Sequence, residues 1–383
     1  MTSVGPTPFG LTTAEQQFAA QVRAHAVELR PVADVGQPGR VNRELLLAMG
    51  HLGLLARLFP GAAAGQPSRE APALDLCLLR ESLATECTEA ETALALQGLG
   101  SYPVLQSGSD EQVRRWLPAV AAGAAVAAFA LSEPDAGSDA AALELTAEPD
   151  GNGWRLTGTK TWISNAPEAD FYTLFARTTP GAGARGVSAF LVPAERPGLS
   201  GEHLDMVSPH PIGTLTFDGV PVYGDELLGE ANRGFAVAMR TLDKFRPSVG
   251  AFAVGMAQAA LEAACSHAAS RTAFGGPLKD QQAVAHLLAD MATRTEAARL
   301  LVYSAAAAID SGAAGIAGRS AMAKLFATEA AQFVVDAAVQ IHGARALQRG
   351  HLLEHLYREV RAPRIYEGAS EIQRTIIARQ LFK

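Results

Sequence analysis

A chain of 383 residues, 48% hydrophobic and 19% charged, is too apolar to be disordered and long enough for two or three domains or one large composite fold. A net charge of -7 argues against a nucleic-acid backbone as the main partner, although local arginine clusters could hold a phosphorylated small molecule. Cys77, Cys87 and Cys265 show neither disulfide-framework nor metal spacing, which fits a reducing cytoplasm without a metal site. The opening MTSVGPTPFG lacks the basic-then-apolar order of a signal peptide, and no apolar run reaches the roughly 20 residues expected of a membrane span.

From Thr12 to about Ala127 the apolar period is helical. Thr12 and Thr13 offer caps to a helix carrying Phe18, Val22 and Val27, which should stop before Pro31. A second helix carries Leu45, Leu46 and Met49 and ends at Gly50 and Gly53. A third carries Leu74, Leu78, Leu79 and Leu83, and another starts at Ser109-Asp110 with Val113, Trp116 and Leu117 on one side. Residues 60–72, rich in Gly, Ala and Pro, read as a loop.

Residues 154–162 then alternate as a strand, after the hairpin signal Asp150-Gly151-Asn152-Gly153. Further strands are expected over 171–176, 187–192, 215–217 and 220–222. From about Asn232 the helical period returns. One stripe runs through Val284, Leu287, Leu288, Met291, Thr295, Ala298, Leu301 and Val302. A second runs through Met322, Leu325, Phe326, Phe333, Val334, Ala337 and Ile341 and is capped by Gly343. Both read as core or subunit interface. Ser370 and Gln373 predict a capping box that opens the last helix, just after Tyr366-Glu367-Gly368. The expected architecture is α+β multidomain: an N-terminal helical domain (1–127), a middle β-barrel or sandwich domain (128–231) and a C-terminal antiparallel four-helix bundle (232–383).

Four motifs carry the chemistry, in order: Phe129 to Asp139 (FALSEPDAGSD), Trp162-Ile163-Ser164-Asn165, Gln340-Ile341-His342-Gly343, and Ile365 to Ser370 (IYEGAS). Taken singly each has a plain structural reading: Trp162 a buried strand aromatic, Arg271 a solvated helix-end cation, Asp243 and Arg246 a surface ion pair at i,i+3, and Glu367 an exposed loop glutamate. Together, over nearly the whole chain, they resemble the acyl-CoA dehydrogenase family of FAD flavoproteins.

The resemblance implies bound FAD. Trp162 would be a platform for the flavin, and Ser164, two residues on along the strand, would share its face and bond N5. Phe129, Leu131, Ser132, Gly137, Ser138 and Ile163 match flavin-proximal positions. Arg271, Phe274, Gln281, Gln340 and Gly343 match positions that reach a neighbouring subunit's FAD, and Ala369, Ser370 and Glu371 also match cofactor positions. Ser138, Asp243, Arg246, Tyr366 and Gly368 match the pocket for an acyl-CoA. Glu367 matches the base that removes the α-proton as the β-hydride leaves to the flavin, giving a trans-2-enoyl-CoA. Some family members carry the base on the helix of Asp243, but Phe245 stands at that position here. An electron-transfer flavoprotein as acceptor and a homotetramer are implied in the same way. Alternatives on the same fold are an oxidase or monooxygenase using oxygen, and a non-catalytic flavin- or CoA-binding protein. Three segments depart from the family pattern: 60–65, 207–211 and 344–347.

Overall fold

The computed structural model describes residues 10–62 and 68–382. Part of the loop expected over residues 60–72, and nearly all of the N-terminal stretch read for a signal, lie outside them.

The N-terminal helices are α1 (Thr13–Asp34), α2 (Arg43–His51), α3 (Ala73–Glu86), α4 (Thr88–Ser107) and α5 (Asp110–Ala121). Thr12 caps α1: its hydroxyl accepts the Glu15 N–H while Glu15 accepts the N–H of Thr12. Contrary to expectation, α1 continues through Pro31 to Asp34. Val27, four residues back, is 45% exposed, so the carbonyl that proline leaves without a donor is on the wet side of the helix. The long helix α4 carries no one-sided apolar stripe because it is buried on nearly every face, and so its sequence did not announce it. Ser109 and Gln112 form the capping box of α5, which ends at Ala121 and not near Ala127. Gly123 turns the chain at φ 72, where a Cβ would stand 2.0 Å from the Leu46 carbonyl oxygen.

A single curled sheet of seven strands follows: β1 (Ala127–Ala130), β2 (Thr146–Asp150), β3 (Gly153–Ser164), β4 (Phe171–Arg177), β5 (Val187–Pro193), β6 (Leu199–His203) and β7 (Ile212–Tyr223). The order is β1-β4-β2-β3-β7-β6, with β5 also paired to β4. Asp150 and Gly153 close the β2–β3 hairpin as expected. The short strands β1, β2 and β6 had no alternating signature long enough to read.

The C-terminal part comprises α6 (Gly234–Ser270), the two-residue strands β8 (Thr272–Ala273) and β9 (Gly276–Pro277), α7 (Gln282–Asp310), α8 (Ile316–His342), α9 (Leu352–Glu359) and α10 (Ser370–Leu381). Helices α6, α7 and α8 pack around small side chains such as Ala253, Ala306, Ala327 and Val334, with α3 and α9 adding to the same core and α10 lying against α8. By length and composition α6 could cross a membrane, which the sequence reading had ruled out for every segment. However, 72% of its most apolar window is buried inside the fold, so it is a core helix here. The unusual segment 207–211 joins sheet to bundle: Ser208 Oγ donates to Glu359 Oε1 at 2.9 Å, and His210 Nε2 lies 2.6 Å from Glu359 Oε2.

Candidate active site

Glu367 sits on the turn between α9 and α10 with φ 51, a left-handed conformation that non-glycine residues adopt only when held. Helix α8 holds it. Lys324 Nζ donates to the carbonyl oxygens of Tyr366 at 2.9 Å and Gly368 at 2.6 Å, on either side of the glutamate. Glu329, farther along the same helix, accepts from Ser370 Oγ at 2.8 Å and pairs with Arg364 at 2.9 Å. Gln373 Nε2 adds a bond to Gly368 O at 2.8 Å. The predicted capping box is therefore not formed. Ala369 is the N-cap of α10, and both members of the expected box turn away from it to brace the Glu367 turn.

As a residue Glu367 is half-buried, but its Oε2 is sealed from solvent and has no hydrogen-bond partner among the described residues. Burial pushes its carboxyl above the usual range, opposed by the charges of Arg80, Lys324 and Arg246. These three cations come from α3, α8 and α6. Arg80 is itself buried, bonded to Glu91 of α4 and, at 2.8 Å, to Ser248 Oγ. Arg246 is bonded to Asp243, yet it is only 7% exposed and its Nε has no partner. The pair is thus not the surface ornament that its spacing alone suggests. A carboxyl with one oxygen sealed and unpartnered among the described residues, pushed up by burial against the pull of nearby cations, is equipped to accept a proton from a group brought against it.

The second motif lies on the sheet. The strand β3 is bulged before Ile163, and Trp162 takes φ 54. Side chains still alternate: Trp162 is 48% exposed, Ile163 is 1% exposed, and Ser164 is half-buried. Ile163 belongs to the core, so its side chain is not free for a cofactor. Phe129 is half-buried against that core, its ring tilted toward Phe175 with centroids 4.9 Å apart. Leu131 is likewise buried, whereas Ser132 is partly open and Gly137 and Ser138 are exposed. The 131–139 loop is fixed to β3 by Thr161 N–H donating to Ser132 O at 3.0 Å. Lys160 Nζ, fully buried, bonds Leu131 O at 2.9 Å and Glu133 Oε1 at 2.8 Å. Glu133 in turn accepts the N–H groups of Glu144 and Leu145. A large aromatic left open beside an anchored loop with free glycine and serine is a fit surface for an isoalloxazine ring.

The remaining matched residues lie elsewhere on the surface. Arg271 is exposed, and Phe274, on the β8–β9 turn at φ 52, is 93% exposed. Gln281 is half-buried, and Gln340 and Gly343 are exposed at the end of α8. Between the ends of α6 and α8 opens a groove of about 560 Å³ lined by Ser266, His267, Ser270, His342, Arg345 and His351. His267 stacks on His342 at 4.2 Å. Glu371 is exposed and its carboxylate lies 3.5 Å from Arg374.

Sequence reasoning missed Arg80, Lys324, Glu329 and Lys160. Arg80 and Lys324 were visible as charges after or inside apolar runs, Leu78-Leu79-Arg80 and Ala321-Met322-Ala323-Lys324-Leu325, which marks a buried and partnered ion, whereas Lys160 between two threonines and half-buried Glu329 gave no such signal.

Comparison with known proteins agrees along the whole chain. The models described as acyl-CoA dehydrogenase N-terminal, middle and C-terminal domains match residues 12–124, 128–220 and 232–382. The chain is 37% identical over 380 residues to the probable acyl-CoA dehydrogenase FadE25 of Mycobacterium tuberculosis, covering 98% of this chain and 97% of that protein. It is 39% identical over 361 residues to the mitochondrial short-chain specific acyl-CoA dehydrogenase of Bos taurus, covering 93% and 87%. The solved structure of butyryl-CoA dehydrogenase from Megasphaera elsdenii superposes with a TM-score of 0.90 at 31% identity, over 98% of this chain and 100% of that one.

Proposed function

Because the chain belongs to the acyl-CoA dehydrogenase family of flavoprotein oxidoreductases, we propose that it uses FAD to desaturate an acyl-CoA thioester to the trans-2-enoyl-CoA, with Glu367 as the base. The observation that carries this reading is the Glu367 carboxyl: one oxygen sealed from solvent and without a partner among the described residues, on a braced left-handed turn. Trp162, Ser164, Ser132, Gly137 and Ser138 would hold the flavin. When bound, FAD supplies the acceptor for the hydride.

The protein's own part is positional and electrostatic. Lys324 and Gln373 fix the peptide groups that flank Glu367, so its carboxylate is presented at a set place. Burial pushes its carboxyl up and makes it a stronger base than an exposed glutamate, while Arg80, Lys324 and Arg246 favour its ionised form. The Glu367 N–H is a donor for the thioester carbonyl on the family's pattern. Asp243, Arg246, Tyr366 and Gly368 would line the passage for the acyl-CoA.

Arg271, Phe274, Gln281, Gln340 and Gly343 would serve a neighbouring subunit's FAD in a homotetramer, which accords with the exposure of Arg271, Phe274, Gln340 and Gly343. Exposed Leu300, Leu301, Met322 and Phe326 on α7 and α8 offer apolar surface for such assembly. Reoxidation by an electron-transfer flavoprotein and a cytoplasmic location complete the proposal. The test is an anaerobic visible-absorption titration of purified protein with acyl-CoAs of different lengths. Bleaching of the flavin band by one class supports the reading, and a colourless protein that FAD does not reconstitute rejects it. Rapid reoxidation of the bleached flavin by oxygen would reject the electron-transfer flavoprotein as acceptor.

A further inference from the structure

We infer that the groove between the ends of α6 and α8 binds a small phosphate-bearing anion other than FAD. Its basic side chains come from three places: His267 on α6, His342 at the end of α8, and Arg345 and His351 on the segment that leads into α9. They meet closely, with His342 stacked on His267 at 4.2 Å and edge-on to His351 at 5.5 Å. None of the residues matched to a neighbouring subunit's FAD lines the groove: Arg271, Phe274, Gln281, Gln340 and Gly343 all lie outside its wall.

The groove gathers basic groups without a counter-ion. The charges that bear most on His267 are those of His342, Arg345, Arg271 and His351, all of them basic, and His351 is the charged neighbour of His342. Arg345 is exposed and pairs with no carboxylate among the described residues, whereas Arg349, a little farther on, is taken by Glu354 at 3.0 Å. In a chain of net charge -7, an uncompensated cluster of this sign is a place for an anionic ligand. Hydrogen bonds already orient two of its donors. His351 Nδ1 accepts the Leu353 N–H at 3.1 Å, so the ring proton sits on Nε2 and is free to donate. His342 Nδ1 donates to the Ala338 carbonyl oxygen at 2.9 Å, so protonation of Nε2 adds a second donor. Arg345 supplies a permanent charge whose planar fork suits an oxyanion. The histidine nitrogens do not converge as metal ligands would, since no group of three His, Cys, Asp or Glu among the described residues could hold a metal ion. At about 560 Å³ the space takes a molecule of nucleotide size. Burial and the neighbouring cations hold His267 below its ordinary value, and burial does the same to His342, so an anion that enters draws protons onto both.

Calorimetry with pyrophosphate as the probe tests this on the protein as purified and again with FAD saturating. We expect one site per chain in both, with affinity rising about tenfold between about pH 8 and about pH 6 at constant ionic strength, because the histidines take up protons on binding. Arg345→Gln should weaken binding about tenfold and leave the flavin content unchanged. His267→Gln combined with His342→Gln should flatten the pH dependence. Should that double variant fail to fold, proton uptake by wild type, read from binding heats in buffers of different ionisation enthalpy, decides the same point. Absence of binding at millimolar pyrophosphate, an affinity that ignores pH, or Arg345→Gln that binds as wild type does overturns the inference. Displacement of pyrophosphate by FAD or by an acyl-CoA gives the groove to cofactor or substrate and overturns it as well. A protein that takes up no FAD ends the dehydrogenase reading and leaves this test intact, since its first arm needs no added flavin.

Discussion

Arg80 of α3 and Glu91 of α4 form an ion pair sealed from water, and the same guanidinium acts on Glu367. Burial pushes the Glu91 carboxyl up, with the arginine opposing, and it likewise pushes up Glu367. One cation thus serves a structural carboxylate and the proposed base.

Proton abstraction needs ionised Glu367, so flavin reduction should quicken with rising pH through a value above the ordinary carboxylate range. Replacing the pair together, Arg80→Met with Glu91→Gln, avoids a stranded charge and removes a cation that favours ionisation. The acid limb of the rate profile should then move to higher pH in anaerobic stopped-flow measurements. A limb that stays in place, or moves down, would remove Arg80 from the tuning of the base.

Glu367→Gln removes the proton acceptor with little change in volume. Bound flavin should be retained at wild-type stoichiometry, while its reduction by substrate slows by about 10³-fold. Absorption spectra and single-turnover rates read the two quantities separately.

Lys324→Met takes two donors from the carbonyl oxygens beside Glu367. We expect the first-order rate of flavin reduction to fall roughly tenfold to a hundredfold, with saturation by substrate less affected, because the change displaces the base without touching the rest of the pocket. Stability should drop by ~2 kcal/mol, the usual scale for bonds to a charged group. An unchanged rate in a correctly folded variant would assign Lys324 to packing alone.

His210 and Glu359 tie sheet to bundle. Burial works against charge on both, but their mutual attraction prevails: the imidazole is held above its ordinary value and the carboxyl below its own. The histidine's contribution is complete below its unfolded value near 6.5 and is lost as pH rises through the folded one. That of the glutamate is complete above its unfolded value near 4.5 and is lost as pH falls through the folded one. Urea unfolding should therefore show this contribution fully present between those unfolded values and lost on either side. Glu359→Gln should cost ~3 kcal/mol inside that window and less outside it. A pH-independent difference would contradict the pairing.

The domain order and the position of Glu367 were legible because motifs and periodicity are local. Trp162 stood out as an aromatic in an alternating strand, although not the bulge and left-handed backbone that hold it open. Helix α4 escaped because periodicity reports contrast between faces, and a helix buried all round has none. Ser370 and Gln373 misled for the opposite reason. Their local pairing is a good cap, but Glu329 and the Gly368 carbonyl compete for them, and tertiary partners won. The cations around Glu367 come from positions 80, 246 and 324, a convergence that no window of sequence contains.

The left-handed backbone at Glu367 sets durability against use in a single residue. Glycine would relax φ 51 and remove an enclosed carboxyl oxygen that lacks a partner. Glu367→Gly should therefore melt later than wild type, by ~1 kcal/mol at the midpoint, while being catalytically dead. Selection for thermal endurance alone would erase this side chain. Its presence marks a position where the chain tolerates permanent strain so that a proton can be taken.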